Sequence, residues 1–197
     1  MHPGSKCVVG IGGKIGTGKT TVVQVFKEFG AHCISADEIG WEVLPKIARV
    51  LRERFGEGIM LGSRINKRKL RELVFSDSSN LEFLNRVSHP VLIKRIIDAI
   101  SNIERGVVVI DAALLFDWPE VYSMVDYPIV VKARQDVMLA RAKAKGISED
   151  LFMRILSMQK DAEKMAAEAC FVIENNGTVA ELRKRCLEIY QQIENDC

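Results

Sequence analysis

The stretch Cys7-Val8-Val9-Gly10-Ile11-Gly12-Gly13-Lys14-Ile15-Gly16-Thr17-Gly18-Lys19-Thr20 decides the fold. Cys7–Ile11 is a short apolar run rich in β-branched residues, the pattern of a buried strand. The turn from Gly12 to Thr20 holds four glycines. From Thr20 to Phe29, Val22, Val23, Val25, Phe26 and Phe29 fall at helical spacing, and Gly30 supplies a C-terminal cap. Strand, glycine turn and helix follow one another without a spacer.

Within that turn, Gly13-Lys14-Ile15-Gly16-Thr17-Gly18-Lys19-Thr20 satisfies the pattern G-x-x-x-x-G-K-[ST]. Glycines let the backbone adopt conformations closed to residues with a Cβ, so several N–H groups can point at one phosphate. The helix that follows adds its positive end at the same point. Lys19 is then expected to reach the β and γ phosphates of ATP, and the Thr20 hydroxyl to coordinate Mg²⁺. Thr21 completes the set of nucleotide-binding candidates. A glycine-rich turn with an incidental lysine is the bland alternative; the place of this one, at the first strand-to-helix turn, argues for the phosphate site.

Outward from this unit the chain alternates. Strands are expected at Ala31–Ser35, Val107–Ile110, Tyr127–Lys132 and Phe171–Ile173, each short, apolar and non-alternating, as when helices cover both faces of a parallel sheet. Ile39–Phe55 reads as helix broken or restarted at Pro45, and Gly56–Ser63 as a loop. Residues 66–104 are helical in pattern, interrupted at Ser76–Ser79 and at Pro90. Arg134–Ala169 is helical with a break at Gly146-Ile147-Ser148, and Thr178-x-x-Glu181 opens a final helix with a capping box. The fold class is therefore α/β, a P-loop NTPase with a five-stranded parallel sheet. Its expected core is residues 6–38, 105–133 and 170–197. The excess helix is assigned to an acceptor lobe (39–104) and a lid (134–169).

Two carboxylates stand where the chemistry needs them. Asp111 ends an apolar strand and is expected beside the phosphate loop as the Mg²⁺ partner; capping the next turn is the plain alternative. Asp37, just past the second strand, could accept the acceptor hydroxyl's proton or cap the following helix. Arg141 and Lys145 share one helix face and could stabilise charge on the transferred group, although a solvated helix explains such cations equally well. Asn175, in the loop after the last strand, could contact the adenine or serve as turn sequence.

Composition narrows the partners. A net charge of +2 gives no basic face for nucleic acid. No apolar run nears membrane-spanning length, so a cytoplasmic protein is expected, as a monomer with an oligomer left open. The five cysteines show no C-x-x-C pair and read as reduced thiols. His2, His32 and His89 are too scattered for a zinc site. Met1–Ser5 reads as a disordered leader.

Taken together these residues resemble the dephospho-coenzyme A kinase family. The resemblance rests on the loop with its extra Gly16, Ala36-Asp37 followed by Ile39, the stretch Arg68–Phe75 and His89-Pro90 at the head of a helix. It continues through Asp111-Ala112-Ala113-Leu114-Leu115-Phe116, Gln159, and Val172–Gly177. It implies transfer from ATP to the ribose 3′-hydroxyl of dephospho-coenzyme A. Asp37, Lys19 and Arg141 would be catalytic. Thr20 and Asp111 would hold the metal, Asn175 would join the nucleotide site, and Asp37, Arg68, His89, Arg95 and Leu115 would lie near the acceptor. The chain departs from the family pattern at Lys14, Ser35, Ala113, Asp117 and Cys170. The nearest rival is another small-molecule or nucleoside monophosphate kinase of the same fold. A GTP switch would want Asn-Lys-x-Asp, and Asn66-Lys67 is followed by Arg68-Lys69. A nucleic-acid motor would want a basic face.

Overall fold

A computed structural model describes residues Ser5–Cys197. Five parallel strands form the sheet: β1 (Lys6–Gly12), β2 (His32–Ser35), β5 (Gly106–Asp111), β6 (Tyr127–Lys132) and β7 (Phe171–Glu174), in the order β2-β5-β1-β6-β7. Side chains alternate across a strand, and here both sides are apolar. Val9, Ile11, Val107 and Val109 face one way, onto helices α1 (Lys19–Glu28) and α9 (Val179–Asp196) through Phe26, Ile189 and Ile193. Val8, Val108 and Ile110 face the other way, onto Ile96 and Ile100 of helix α4 (Ser78–Ser101). Burial on both faces explains why these strands carry no polar alternation.

The first parallel crossover has a direct consequence for function. Pairing β1 with β5 and β5 with β2 sets Ile11, Asp111 and Ser35 side by side at the carboxyl ends of the three strands. The turn leaving β1 and the first residues after β2 and β5 therefore share one edge of the sheet. That edge is where open α/β sheets place their ligands.

Two helical appendages flank the sheet. Helix α2 (Ala36–Phe55) packs with α3 (Lys67–Val74) and α4 around Val43, Leu44, Leu51, Leu70 and Val74. A two-stranded hairpin, β3 (Met60–Leu61) with β4 (Arg64–Ile65), occupies the stretch expected to be plain loop. Beyond the sheet's centre, a short helix α5 (Pro119–Tyr122) precedes β6. Helices α6 (Gln135–Ala144), α7 (Glu149–Met158) and α8 (Ala162–Ala167) follow it. Met138, Ala142 and Phe152 join α6 to α7 in a small core of their own. Besides the break at Gly146–Ser148 there is a second at Gln159–Asp161, which helical spacing did not reveal.

Neither proline breaks its helix. Pro45 lies inside α2 and Pro90 inside α4, so His89-Pro90 sits mid-helix and not at a helix head. Proline removes one N–H and leaves a carbonyl without its donor. Both prolines are exposed, so water can satisfy that carbonyl, while Leu44 and Ile47 beside the first and Leu92 beside the second stay buried and hold each helix in register.

The cysteine expectation is corrected in part. Cys33, Cys170 and Cys186 are free thiols, but Cys7 and Cys197 form a disulfide across a sequence separation of 190. No local spacing could reveal it, because only the docking of α9 beneath the start of β1 brings the two residues together. The same docking anchors Ser5, whose hydroxyl donates to the Cys197 carbonyl at 2.8 Å. The expected leader at Met1–Ser5 otherwise lies outside the described residues. A cross-link closing so long a loop contributes on the order of 2–5 kcal/mol. Thiol titration of unreduced protein in denaturant should count three free cysteines, the number that remain unpaired here. Reduction, or Cys197→Ser, should lower the melting temperature by several degrees. Five titrating thiols without reductant would contradict the pairing.

Candidate active site

The turn from β1 into α1 is held from behind by its own carbonyls. The Lys19 ammonium donates to the Gly13 carbonyl at 2.6 Å and to that of Lys14 at 3.3 Å. Thr17 is buried, and its hydroxyl donates to the Lys14 carbonyl at 2.8 Å. The Thr17 carbonyl accepts from the Asn175 amide at 2.8 Å and from Arg141 at 3.2 Å, and Arg141 also reaches the Gly16 carbonyl at 3.4 Å. With these carbonyls drawn outward, the loop turns its other edge, N–H groups first, towards the mouth of the site.

Two glycines are required by space and by backbone together. Gly16 has φ +78° and Gly18 φ +97°, values that L side chains rarely adopt. A Cβ on Gly16 would meet the Met138 carbonyl, and one on Gly18 would meet the Asn175 side chain. Helix α6 and the loop after β7 therefore press directly against the turn, and only glycine admits the contact. Gly18 also serves as the N-cap of α1, whose first turn carries Lys19, Thr20 and Thr21 with no acidic residue to oppose an anion.

Charge converges on the same mouth. Burial pushes the Lys19 ammonium below its usual range, while the Asp111 and then the Asp37 carboxylates pull it back up and Lys145 opposes them. Burial raises the Asp111 carboxyl above the ordinary carboxylate value, and the Lys19 charge works against that rise. Lys19, Asp111, Asp37 and Lys145 thus feel one another. Asp111 has no side-chain hydrogen bond among the described residues and does not cap the next turn. Asp37 is exposed in the first turn of α2, and the capping role falls to Ser35, whose hydroxyl accepts from the Glu38 N–H at 3.2 Å. Both carboxylates are therefore free of the structural duties that could have explained them.

The remaining expected residues scatter more widely. Asn175 is buried behind the loop, between the Thr17 carbonyl and Arg141, whose guanidinium donates to its Oδ1 at 3.3 Å. His89 Nδ1 accepts from the Trp118 indole N–H at 3.2 Å, and burial pushes its imidazole down. Arg95 pairs with Glu42 at 2.9 Å and ties α4 to α2. Arg68 is solvated on α3 beside Glu72. Leu115 is fully buried and packs against Gly10 of β1. Among the described residues no group of three or more His, Cys, Asp or Glu side chains forms a metal cluster. The Thr20 hydroxyl and the Asp111 carboxylate, with Asp37 as the other acid at this mouth, are a hard and sparse oxygen set that suits a small divalent ion also bound by phosphate.

Two further residues, Gln159 of the family resemblance and Lys160 of the lid segment, make contacts that residue spacing does not predict. Gln159 reaches back to the loop with its Oε1 accepting from the Ile15 N–H at 2.8 Å. Lys160 donates to the Phe116 carbonyl at 3.2 Å and pairs with Glu168 at 2.9 Å. Both lie in the break between α7 and α8.

A parallel sheet in this order, a phosphate cradle at the β1–α1 turn, an acid ending β5 and an arginine arriving from α6 define a P-loop kinase. The chain resembles the solved structure of TT1252 from Thermus thermophilus with a TM-score of 0.80 and 26% identity, covering 95% of this chain and 97% of that one. It shares its fold with dephospho-CoA kinase from Campylobacter jejuni, with a TM-score of 0.64 and 22% identity over 95% of this chain and 97% of that one. Dephospho-CoA kinase from Aquifex aeolicus is 33% identical over 193 residues, 95% of this chain and 98% of the relative. The family model described as CoaE, dephospho-CoA kinase, matches residues 7–181. The chain belongs to the dephospho-CoA kinase family, which uses ATP in the last step of coenzyme A biosynthesis. No helix among the described residues is long and apolar enough to cross a membrane.

Removing the Asn175 amide leaves the Thr17 carbonyl and the Arg141 guanidinium each short of a buried partner. Asn175→Ala should therefore weaken ATP binding by about tenfold in calorimetry, with the fold retained. Wild-type affinity in that variant would show that the loop holds its shape without it.

Proposed function

We propose that this protein phosphorylates the ribose 3′-hydroxyl of dephospho-coenzyme A, with Asp37 as the carboxylate that receives the hydroxyl proton. The observation that carries this reading is the convergence of Lys19, Asp111 and Asp37 on one mouth of the sheet. A donor phosphate, a metal and an acceptor hydroxyl must meet at one point, and these three groups supply a partner for each.

In this reading the amides of residues 16–20 and the positive end of α1 hold the β-phosphate, while the Ile15 amide stays with Gln159. Lys19 leaves the Gly13 and Lys14 carbonyls and swings to the γ-phosphate, a move that needs only side-chain rotation. The Thr20 hydroxyl and Asp111 are the residues that would hold Mg²⁺, which when bound neutralises phosphate charge. Arg141 lies against the loop and Lys145 one turn further on, and both add positive charge where the transferred group develops negative charge. The lobe of α2, α3 and α4 takes the acceptor, and the segment α6–α8 serves as the lid. His89 and Arg95 are in the acceptor lobe's half of the site; Arg68 and Leu115 would contribute through the lobe's surface and packing respectively. A monomer is the working unit in this reading. A cytoplasmic location completes the reading.

An ADP-release assay over a panel of acceptors tests the reading. Turnover should rise with dephospho-coenzyme A and stay at background with AMP, CMP or thymidylate. Stimulation by a nucleoside monophosphate alone would transfer the case to a nucleotide kinase of the same fold. Asp37→Asn should keep ATP affinity and lower kcat by a factor on the order of 10²–10⁴. Near-wild-type turnover would remove Asp37 from the chemistry.

A further inference from the structure

The break between α7 and α8 touches two places at once. Its backbone leaves the helix at Gln159, which is extended with φ −88° and ψ 146°. From there the Gln159 side chain crosses to the phosphate loop, a sequence distance of 144 residues, and takes the Ile15 N–H on its Oε1. Gln159 also lines a hollow of ≈ 550 Å³ whose other walls include Asn85 and His89 of α4, Leu114, Trp118 and Lys160. The hollow thus lies between α4 of the acceptor lobe and the break, and among the described residues only Gln159 links it to the phosphate loop. The amide Nε2 of Gln159 has no protein partner among the described residues, so a donor stands ready on the hollow's wall.

A hydrogen bond to a loop amide fixes the tilt of the peptide plane between Lys14 and Ile15. That plane sits one residue after Gly13, where the loop begins to curl round the phosphates. Asp161, two residues beyond Gln159, turns back to cap α8, its carboxylate accepting from the Glu163 and Lys164 N–H groups at 2.9 and 3.1 Å. Side chains that ordinarily pack a helix break have no reason to reach a phosphate loop. Here one side chain of a three-residue break joins the wall of the hollow on one side to the cradle on the other.

We infer that Gln159 is a positioning residue that couples the acceptor hollow to the phosphate loop, so that an acceptor engaging its amide tightens the hold on ATP. The inference rests on the proposed acceptor. Its ligand chemistry is a polar, hydrogen-bond-accepting segment of that molecule, offered to Nε2 while Oε1 keeps the Ile15 amide. Coupling of this kind is reciprocal: ATP must tighten the acceptor by the same factor.

The test uses the full chain and a non-hydrolysable ATP analogue. Its dissociation constant is measured with and without saturating dephospho-coenzyme A, for wild type, Gln159→Met and Gln159→Glu. Methionine keeps the length and loses both hydrogen bonds; glutamate keeps an oxygen for the Ile15 amide and loses the Nε2 donor. Wild type should show tightening of about fivefold or more. Both variants should fall below about twofold, with apo melting temperatures close to wild type, since Gln159 is only half-buried. A purely structural role would shift melting and leave the ratio intact. Wild-type coupling in either variant, or no coupling in wild type, overturns the inference. Wild-type turnover with dephospho-coenzyme A is followed in parallel. Turnover without coupling refutes the relay alone; no turnover refutes the acceptor assignment, and the relay falls with it.

Discussion

A phosphate loop works only if its amides are free and its carbonyls are occupied elsewhere. That requirement organises the rest of this molecule. Three loop carbonyls, those of Lys14, Gly16 and Thr17, are taken by Thr17, Arg141 and Asn175, and Lys19 holds that of Gly13 until phosphate arrives. Arg141 comes from α6 and Asn175 from the loop after β7, and both arrive because β6 pairs with β1 and β7 with β6, on the same side of the loop. The sheet order is thus what brings the buttresses to the loop. Both faces of β1 are buried so that its end is rigid where the loop begins.

The same order explains the acids. β5 lies between β1 and β2, so the residues ending β5 and following β2 flank the loop from the other side. Asp111 is desolvated there with Lys19 as its counter-charge, whereas Asp37 stays exposed. The two carboxylates therefore have different environments within one mouth. A buried acid beside a cation suits metal binding; an exposed acid on the first turn of a helix is open to an incoming hydroxyl.

Much of this could be read from residues alone. The unbroken apolar runs at Val107–Ile110 and Tyr127–Lys132 and the glycine pattern at Gly13–Thr20 are local signals, and each has one physical meaning. What escaped was non-local or conditional. Pro45 and Pro90 look like breaks because the rule assumes a carbonyl that cannot find water, and exposure lifts that penalty. Ser35 and Asp37 are both plausible caps in a string of letters, and only the helix start at Ala36 settles which one caps. Asn175 read as a loop residue that might meet a base, yet its side chain faces the back of the cradle. Gln159 stood out only in the family resemblance; its contact with Ile15 and the Cys7–Cys197 pair depend on tertiary docking over 144 and 190 residues, where spacing carries no information.

The most direct measurement is a crystal structure with ADP and Mg²⁺ bound. The β-phosphate should lie on the amides of residues 16–20, with Lys19 turned from the Gly13 carbonyl to the phosphate and the Ile15 amide still on Gln159. Arg141 and Asn175 should still hold the Gly16 and Thr17 carbonyls. A nucleotide seated elsewhere, or a loop that binds phosphate only after those two side chains let go, would contradict this arrangement.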